Sequence, residues 1–229
     1  MHPGLTTRTT ALGLAALLIA SALGYWGVSA YRKGQLQKAV AALVKDSSER
    51  LQTALAVETE ALNEDAAQIV RKLDDQAQEV DKHVIELRGM SASPNRALVD
   101  AAEEYMLTVR QILRNQAGSH RYRIQVSASE RAVRDHMRSA NRRSGIWIQE
   151  ALRAKDRMEK DYFDYRLSAD AFGRLLESYP ATRKKLAPLV GAGLLVDEAV
   201  ASNARKRALS NSRRVADDVE RARQLAGVH

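Results

Sequence analysis

The chain contains no cysteine among its 229 residues. This excludes disulfide bonds, thiolate-bound metals, a cysteine nucleophile and the lipid-modified cysteine of a lipoprotein. Aromatic residues make up only 5% of the chain, and only four prolines and 12 glycines interrupt it. A large mixed core is hard to build from so few aromatic side chains, whereas packed helices suit a composition rich in Ala, Leu and Val. We therefore predict an all-α fold.

Recognisable catalytic and metal-binding motifs are also absent from the sequence. Glu79 and His83 stand one helical turn apart, but a di-iron bundle needs two Glu-x-x-His pairs and further carboxylates. We interpret this pair as an exposed ion pair, and His120 and His136 as surface histidines. The sequence predicts a protein that is not an enzyme and binds no metal ion or cofactor.

One long uncharged segment lies near the N-terminus. Residues 11–31 hold 21 residues without a charge, and as a helix they would span about 31 Å, close to the thickness of a bilayer core. We predict an N-terminal tail over 1–10 and a single transmembrane helix over 11–31, which implies a cell membrane protein, such as one of the bacterial inner membrane. Aromatic and basic residues favoured at a membrane interface cluster at its far end: Tyr25, Trp26, Tyr31, Arg32 and Lys33.

A cleaved signal peptide is the alternative interpretation of this segment. Arg8 supplies a positive residue before the apolar run, and the stretch from Ala20 to Ala22 offers a small-x-small cleavage site. The apolar character continues past that site, where a cleavable signal normally turns polar. The sequence thus favours an uncleaved signal-anchor over removal of residues 1–22.

Small residues also mark one face of the predicted span. Ala16, Ala20 and Gly24 follow a small-xxx-small pattern that allows two helix backbones to approach closely. The pattern is equally consistent with the general frequency of Ala and Gly in this segment. The basic residues that follow the span lean toward a cytoplasmic soluble part by the positive-inside rule, although a periplasmic location stays open because long domains can be translocated despite such charges.

Hydrophobic periodicity predicts the helices of the soluble part. From Leu36 to Leu87 the apolar positions recur at a helical period, which predicts one long amphipathic helix over 32–90 that continues directly from the membrane span. From Val133 to Tyr179 the spacing is close to a heptad, as in a coiled coil. Gly118 and Pro180 are interpreted as helix ends. The remaining helices are predicted at 94–117, 127–179 and 181–226, and short connections between them favour an up-and-down bundle.

Basic residues concentrate in the second half of the chain. The formal net charge is +8, and a candidate basic patch on one helix consists of Arg131, Arg134, Arg138, Arg142 and Arg143. An acidic patch on the first long helix consists of Glu58, Glu60, Glu64 and Asp65. Two solvated faces explain these patches most simply. Non-specific nucleic-acid binding by the basic patch is a weaker alternative, because no recognition motif accompanies it.

These features predict a membrane-tethered helical scaffold or adaptor that acts through protein–protein contacts. The expected partners are the lipid bilayer and either a second copy of the chain or another membrane or helical protein. Anchor plus bundle is similar in architecture to the extracytoplasmic four-helix sensor domains of chemoreceptors, which implies a sensor that binds a small ligand between helices. For that alternative, the aromatic residues between Tyr162 and Tyr179 would line either a groove or, more simply, the core.

Overall fold

The computed structural model describes residues 33–57, 65–90, 95–139 and 145–227, and all of its regular elements are helices. Helix α1 covers 33–56, α2 Asp65–Gly89, α3 Arg96–Arg138, α4 Gly145–Val190 and α5 Glu198–Leu225, with a 3-10 turn at Ala192–Leu194 before α5. No strand occurs in these described ranges. The predicted all-α class and the helical bundle are confirmed.

The predicted transmembrane helix lies outside the described residues. This holds for the whole 11–31 segment, including the candidate contact face of Ala16, Ala20 and Gly24, and for Tyr25, Trp26, Tyr31 and Arg32 of the interface. Lys33, the last residue of that group, is exposed at the first described position of α1. Within the described part of the chain, no helix is both long and apolar enough to cross a bilayer.

Sequential helices of the bundle run antiparallel. Asp81 and Asp74 of α2 pair with Arg110 and Arg121 of α3, so the order is reversed between the two helices. In the same way Tyr105 and Asn115 of α3 contact Tyr179 and Ser168 of α4. Helix α5 runs back along α4, with the pairs Arg183–Glu198 near its start and Arg223–Glu159 near its end.

Two apolar clusters fill the bundle at different levels. The larger, which we name the main core, joins α1, α2, the first half of α3, the second half of α4 and the start of α5. The smaller, which we name the distal core, lies where only α3, α4 and α5 continue, and it consists of Val126, Val133, Met158, Tyr165, Ala169, Val215, Val219 and Ala222. Since α3 has 43 residues, the bundle is about 64 Å long.

The prediction of one helix over 32–90 is wrong. Helix α1 ends at residue 56, Val57 is not helical, and α2 returns beside α1 so that Ser47 contacts His83. The apolar period continues on both sides of the break because each helix buries a stripe of the same period, from Val40 to Leu55 and from Ala66 to Leu87. Periodicity alone therefore does not reveal this turn.

The predicted ends of the next two helices are also wrong. Helix α3 does not stop near Gly118 but continues to Arg138. Glycine is needed at 118 for packing, because a Cβ there would lie 2.8 Å from Oγ of Ser168 on α4. The helix predicted over 127–179 is thus split, with its first part in α3 and its remainder in α4, which begins at Gly145.

Helix α4 does not end at Pro180. It includes both Pro180 and Pro188, and the last helix begins at Glu198 rather than at 181. A proline inside a helix costs about 3 kcal/mol because it removes a backbone hydrogen bond and clashes with the preceding turn. Burial of Leu176, Tyr179 and Leu186 on this stretch offsets that cost. Asp197 then caps α5, its Oδ1 accepting a hydrogen bond from the backbone N–H of Ala199 at 2.7 Å.

Candidate functional site

A chain of buried hydroxyl groups crosses the main core. Ser48 of α1 lies 2.8 Å from the hydroxyl of Tyr105 on α3, which lies 3.2 Å from the hydroxyl of Tyr179 on α4. The Tyr179 hydroxyl donates to the carbonyl oxygen of Val196 at 2.9 Å. The Ser48 hydroxyl also lies 2.8 Å from the carbonyl oxygen of Val44 on α1, so its single proton serves either that oxygen or Tyr105. When it points to Tyr105, the protons of all three hydroxyl groups point the same way, from Ser48 to Tyr105 to Tyr179 to Val196. Burial raises the pKa of Tyr179, so this chain is neutral and structural in character.

A Ser-His-Asp arrangement joins α1 and α2 without forming a usable catalytic triad. Oγ of Ser47 lies 3.1 Å from Nδ1 of His83, and Nε2 of His83 lies 3.3 Å from Oδ2 of Asp46. Ser47 is 0% exposed, so no substrate carbonyl can reach its hydroxyl. The predicted ion pair between Glu79 and His83 is wrong, since Glu79 instead binds Lys82 and this hydrogen bond lowers the pKa of Glu79.

A small polar cavity lies at the C-terminal end of α1. Two of the carbonyl groups that a helix leaves unpaired at its end are bound here by side chains: Nε2 of Gln116 donates to Ala54, and Nη2 of Arg207 donates to Leu55. The cavity beside them has a volume of about 40 Å³, enough for one or two water molecules. Oε1 of Gln116 is buried there without a hydrogen-bond partner, which suits a bound water.

His120 lines the same cavity, so the prediction that it is a surface histidine is wrong. Burial, with a smaller contribution from the positive charge of Arg123, lowers the pKa of His120 to about 4. The imidazole is therefore neutral at physiological pH. His136, in contrast, stacks on Trp147 at the tip of the α3–α4 hairpin, with ring centroids 4.8 Å apart.

The predicted basic patch is only partly described. Arg131 and Arg138 are exposed on the last turns of α3, whereas Arg134 is half-buried and paired with Glu130 on its own helix. Burial raises the pKa of Glu130 against the opposing effect of Arg134. Arg142, Arg143 and the side chains of the predicted acidic patch lie outside what the structure describes. The two patches therefore stay a prediction from the sequence.

The aromatic residues of α4 divide between the core and the surface. Tyr165, Phe172 and Tyr179 are buried, as their heptad positions predict, but Phe163 is 60% exposed. It belongs to a set of exposed large apolar residues on α4: Ile146, Ile148, Leu152, Phe163 and Leu167. The hydrophobic periodicity of the sequence does not single out these residues, because the buried positions give the stronger signal. The exposed surface of α4 that carries these residues is the candidate interaction surface.

A shallow groove runs beside this surface between α4 and α5. Its volume is about 190 Å³, and its walls include Arg174 and Glu177 of α4 and Arg205 and Leu209 of α5. Ligand pockets for small molecules usually enclose about 300–1,000 Å³. Over the described ranges no three His, Asp or Glu side chains lie together as metal ligands would. No protein-family model, curated protein or solved structure matches the chain.

Proposed function

We propose that the protein is a membrane-tethered helical scaffold that acts through protein–protein contacts. The observation that carries this proposal is the exposed surface of α4, on which five large apolar side chains are at least half exposed. Leu152, Phe163 and Leu167 lie on its outer face, opposite the side packed in the bundle, and Ile146 and Ile148 lie on the two sides of the helix near its start. Exposed apolar surface of this kind is typical of protein or membrane contact sites.

The position of α1 supports the tether. Gln37, near the first described residue of α1, donates a hydrogen bond to the carbonyl of Leu189 at the end of α4. The chain thus enters the bundle at one end, and the α3–α4 hairpin lies at the other, about 60 Å away. An anchor over 11–31 would make the bundle a rod that extends from the membrane and presents the sides of α4 and α5 to partners.

The two described cavities favour a scaffold over a small-molecule sensor. The cavity at the end of α1 has a volume of about 40 Å³ and the groove between α4 and α5 about 190 Å³, and both are partly open to solvent. A sensor would need a ligand pocket between its helices. The experiment is to purify the full chain in mild detergent, measure its mass, and follow its thermal unfolding with a panel of amino acids, organic acids and sugars.

We expect a mass above that of one chain and no change in the melting temperature with these molecules. A monomer stabilised by several degrees by one of them would contradict the scaffold. The matched control is Ser119→Leu, which narrows the cavity at the end of α1 but does not line the groove between α4 and α5. Loss of the stabilisation in that variant would assign it to this cavity and establish the sensor instead.

A further inference from the structure

The outer face of α4 carries two columns of residues at heptad spacing. One is acidic except for a single phenylalanine: Asp156, Phe163, Asp170 and Glu177. The other is basic except for a single leucine: Arg153, Lys160, Leu167 and Arg174. All eight side chains are exposed. Since Tyr165 points into the distal core, Phe163 and Leu167, two residues before and after it, flank the direction that points straight outward.

Most of these charges have no ion-pair partner among the described residues. Glu177 pairs with Arg205 of α5 at 2.9 Å. The other five form no ion pair with a described residue, although many surface charges of the bundle do: Arg153, Asp156, Lys160, Asp170 and Arg174. The two columns together form what we name the outer seam, with an apolar centre and charged ends.

The outer seam is complementary to the outer seam of a second copy in antiparallel orientation. In an antiparallel helix pair, a residue that lies before the two-fold axis shares a layer of the interface with the residue of the other copy that lies the same number of positions after the axis. A parallel pair instead places each residue beside its own copy. With the axis at Tyr165, Phe163 meets Leu167 of the second copy and Lys160 meets Asp170. Asp156 then meets Arg174.

Other arrangements of the same seam lack this match. A parallel pair places Lys160 beside Lys160 and Asp170 beside Asp170, which is repulsive. An antiparallel pair shifted by one heptad places Phe163 against Arg174 and loses the apolar layer. Two residues approach their own copies in the centred register, Asp164 on one edge of the seam and Arg166 on the other. Both approaches lie at the solvated edges, where like charges cost little.

We propose that the outer seam of α4 docks on the outer seam of a second copy of this chain, in an antiparallel arrangement centred on Tyr165. The apolar layer of Phe163 and Leu167, present twice by symmetry, supplies the attraction. The charged layers on both sides select the orientation and the register.

One consequence of this proposal rests on the proposed function, in which the chain is anchored in a membrane. Tyr165 lies 24 residues from Leu189, which marks the end where α1 enters the bundle. In the antiparallel pair the two entry ends are therefore on opposite sides, about 70 Å apart. Upright copies anchored in one flat membrane cannot form this pair. Copies anchored in two facing membranes can, so the scaffold would join membrane surfaces through contacts with itself.

Because the chain has no cysteine, single introduced cysteines test the pairing directly. Arg166→Cys places a thiol close to its own copy across the two-fold axis and removes one of the two approaches of like charges. We expect this variant of the full chain, purified in mild detergent, to form covalent dimers with a short bis-maleimide reagent. Gln78→Cys on the exposed face of α2 is the matched control and should form no covalent dimer. Equal dimer yields from both variants would overturn the proposal.

Charge reversal then tests orientation and register in the Arg166→Cys background. Lys160→Glu should lower the dimer yield several-fold, because it sets a second carboxylate against Asp170 of the other copy, and adding Asp170→Lys should restore the yield. A parallel pair would gain nothing from the second change, so failure of the restoration would overturn the antiparallel arrangement. These measurements in detergent are independent of the anchor: they can fail while the chain still fractionates with membranes, or succeed when it does not.

Discussion

Gly118 of α3 and Ser168 of α4 approach so closely that a Cβ on Gly118 would lie 2.8 Å from the Ser168 hydroxyl oxygen. That hydroxyl donates a hydrogen bond to the carbonyl oxygen of Asn115, at 3.2 Å. The glycine thus allows α3 to remain helical while α4 packs against it at the boundary between the main and the distal core. It marks a helix crossing and not a helix end.

The first prediction concerns this crossing. Gly118→Ala gains up to about 1 kcal/mol of helix propensity but displaces Ser168, so we expect a net loss of about 1 kcal/mol in the free energy of unfolding. Adding Ser168→Ala should remove the clash and raise stability above that of the single variant, as measured by denaturant unfolding. Gly173→Ala, where no atom approaches within 4 Å, is the control and should stabilise. Equal effects at both glycines would refute the close packing.

The second prediction concerns the buried hydroxyl chain. Tyr179→Phe removes the donor to Val196 and the acceptor for Tyr105, so we expect a loss of about 1–2 kcal/mol in unfolding free energy. Tyr105→Phe should cost a similar amount, and the double variant less than the sum, because both changes interrupt one network. Tyr162→Phe on the partly buried side of α4 is the control. Strictly additive losses would contradict a continuous chain.

The third prediction concerns acid sensitivity. The pKa of His120 in the folded protein, about 4, is below its usual value near 6.5, so the unfolded chain binds a proton first as the pH falls. The stability that this neutral histidine contributes is complete above about pH 6.5 and is lost as the pH falls toward 4. Between pH 7 and 5, the free energy of unfolding of His120→Gln should therefore fall by about 1–2 kcal/mol less than that of the wild type. Parallel pH profiles for the two proteins would show that His120 is exposed to solvent.

Much of the fold follows from the sequence because the buried positions of each helix recur in the sequence at the helical period. Leu98, Ala102, Tyr105, Val109 and Ile112 recur in the sequence at helical spacing and are all buried. The turns leave no such trace. Helices α1 and α2 bury stripes of one period on both sides of their break, and Gly118 and Pro180 resemble helix ends until their packing against neighbouring helices is known.

The candidate surface was harder to predict for a related reason. Phe163 lies two residues from Tyr165 in an aromatic cluster, and periodicity assigns the whole cluster to the core. Only the packed bundle shows that Tyr165 is buried and Phe163 is exposed. Likewise, Gln116 gives no sequence signal, because its role depends on the C-terminal carbonyl groups of α1, which are distant in the chain.

Alkaline carbonate extraction tests the central claim, that the bundle is held at a membrane by residues 11–31. The full chain is compared with a variant that lacks 11–31 and retains the rest, after expression in a bacterial cell and separation of membranes. We expect the full chain to stay in the membrane pellet at alkaline pH and the deletion variant to be soluble. Release of the full chain into the supernatant, to the same extent as the variant, would contradict the tether.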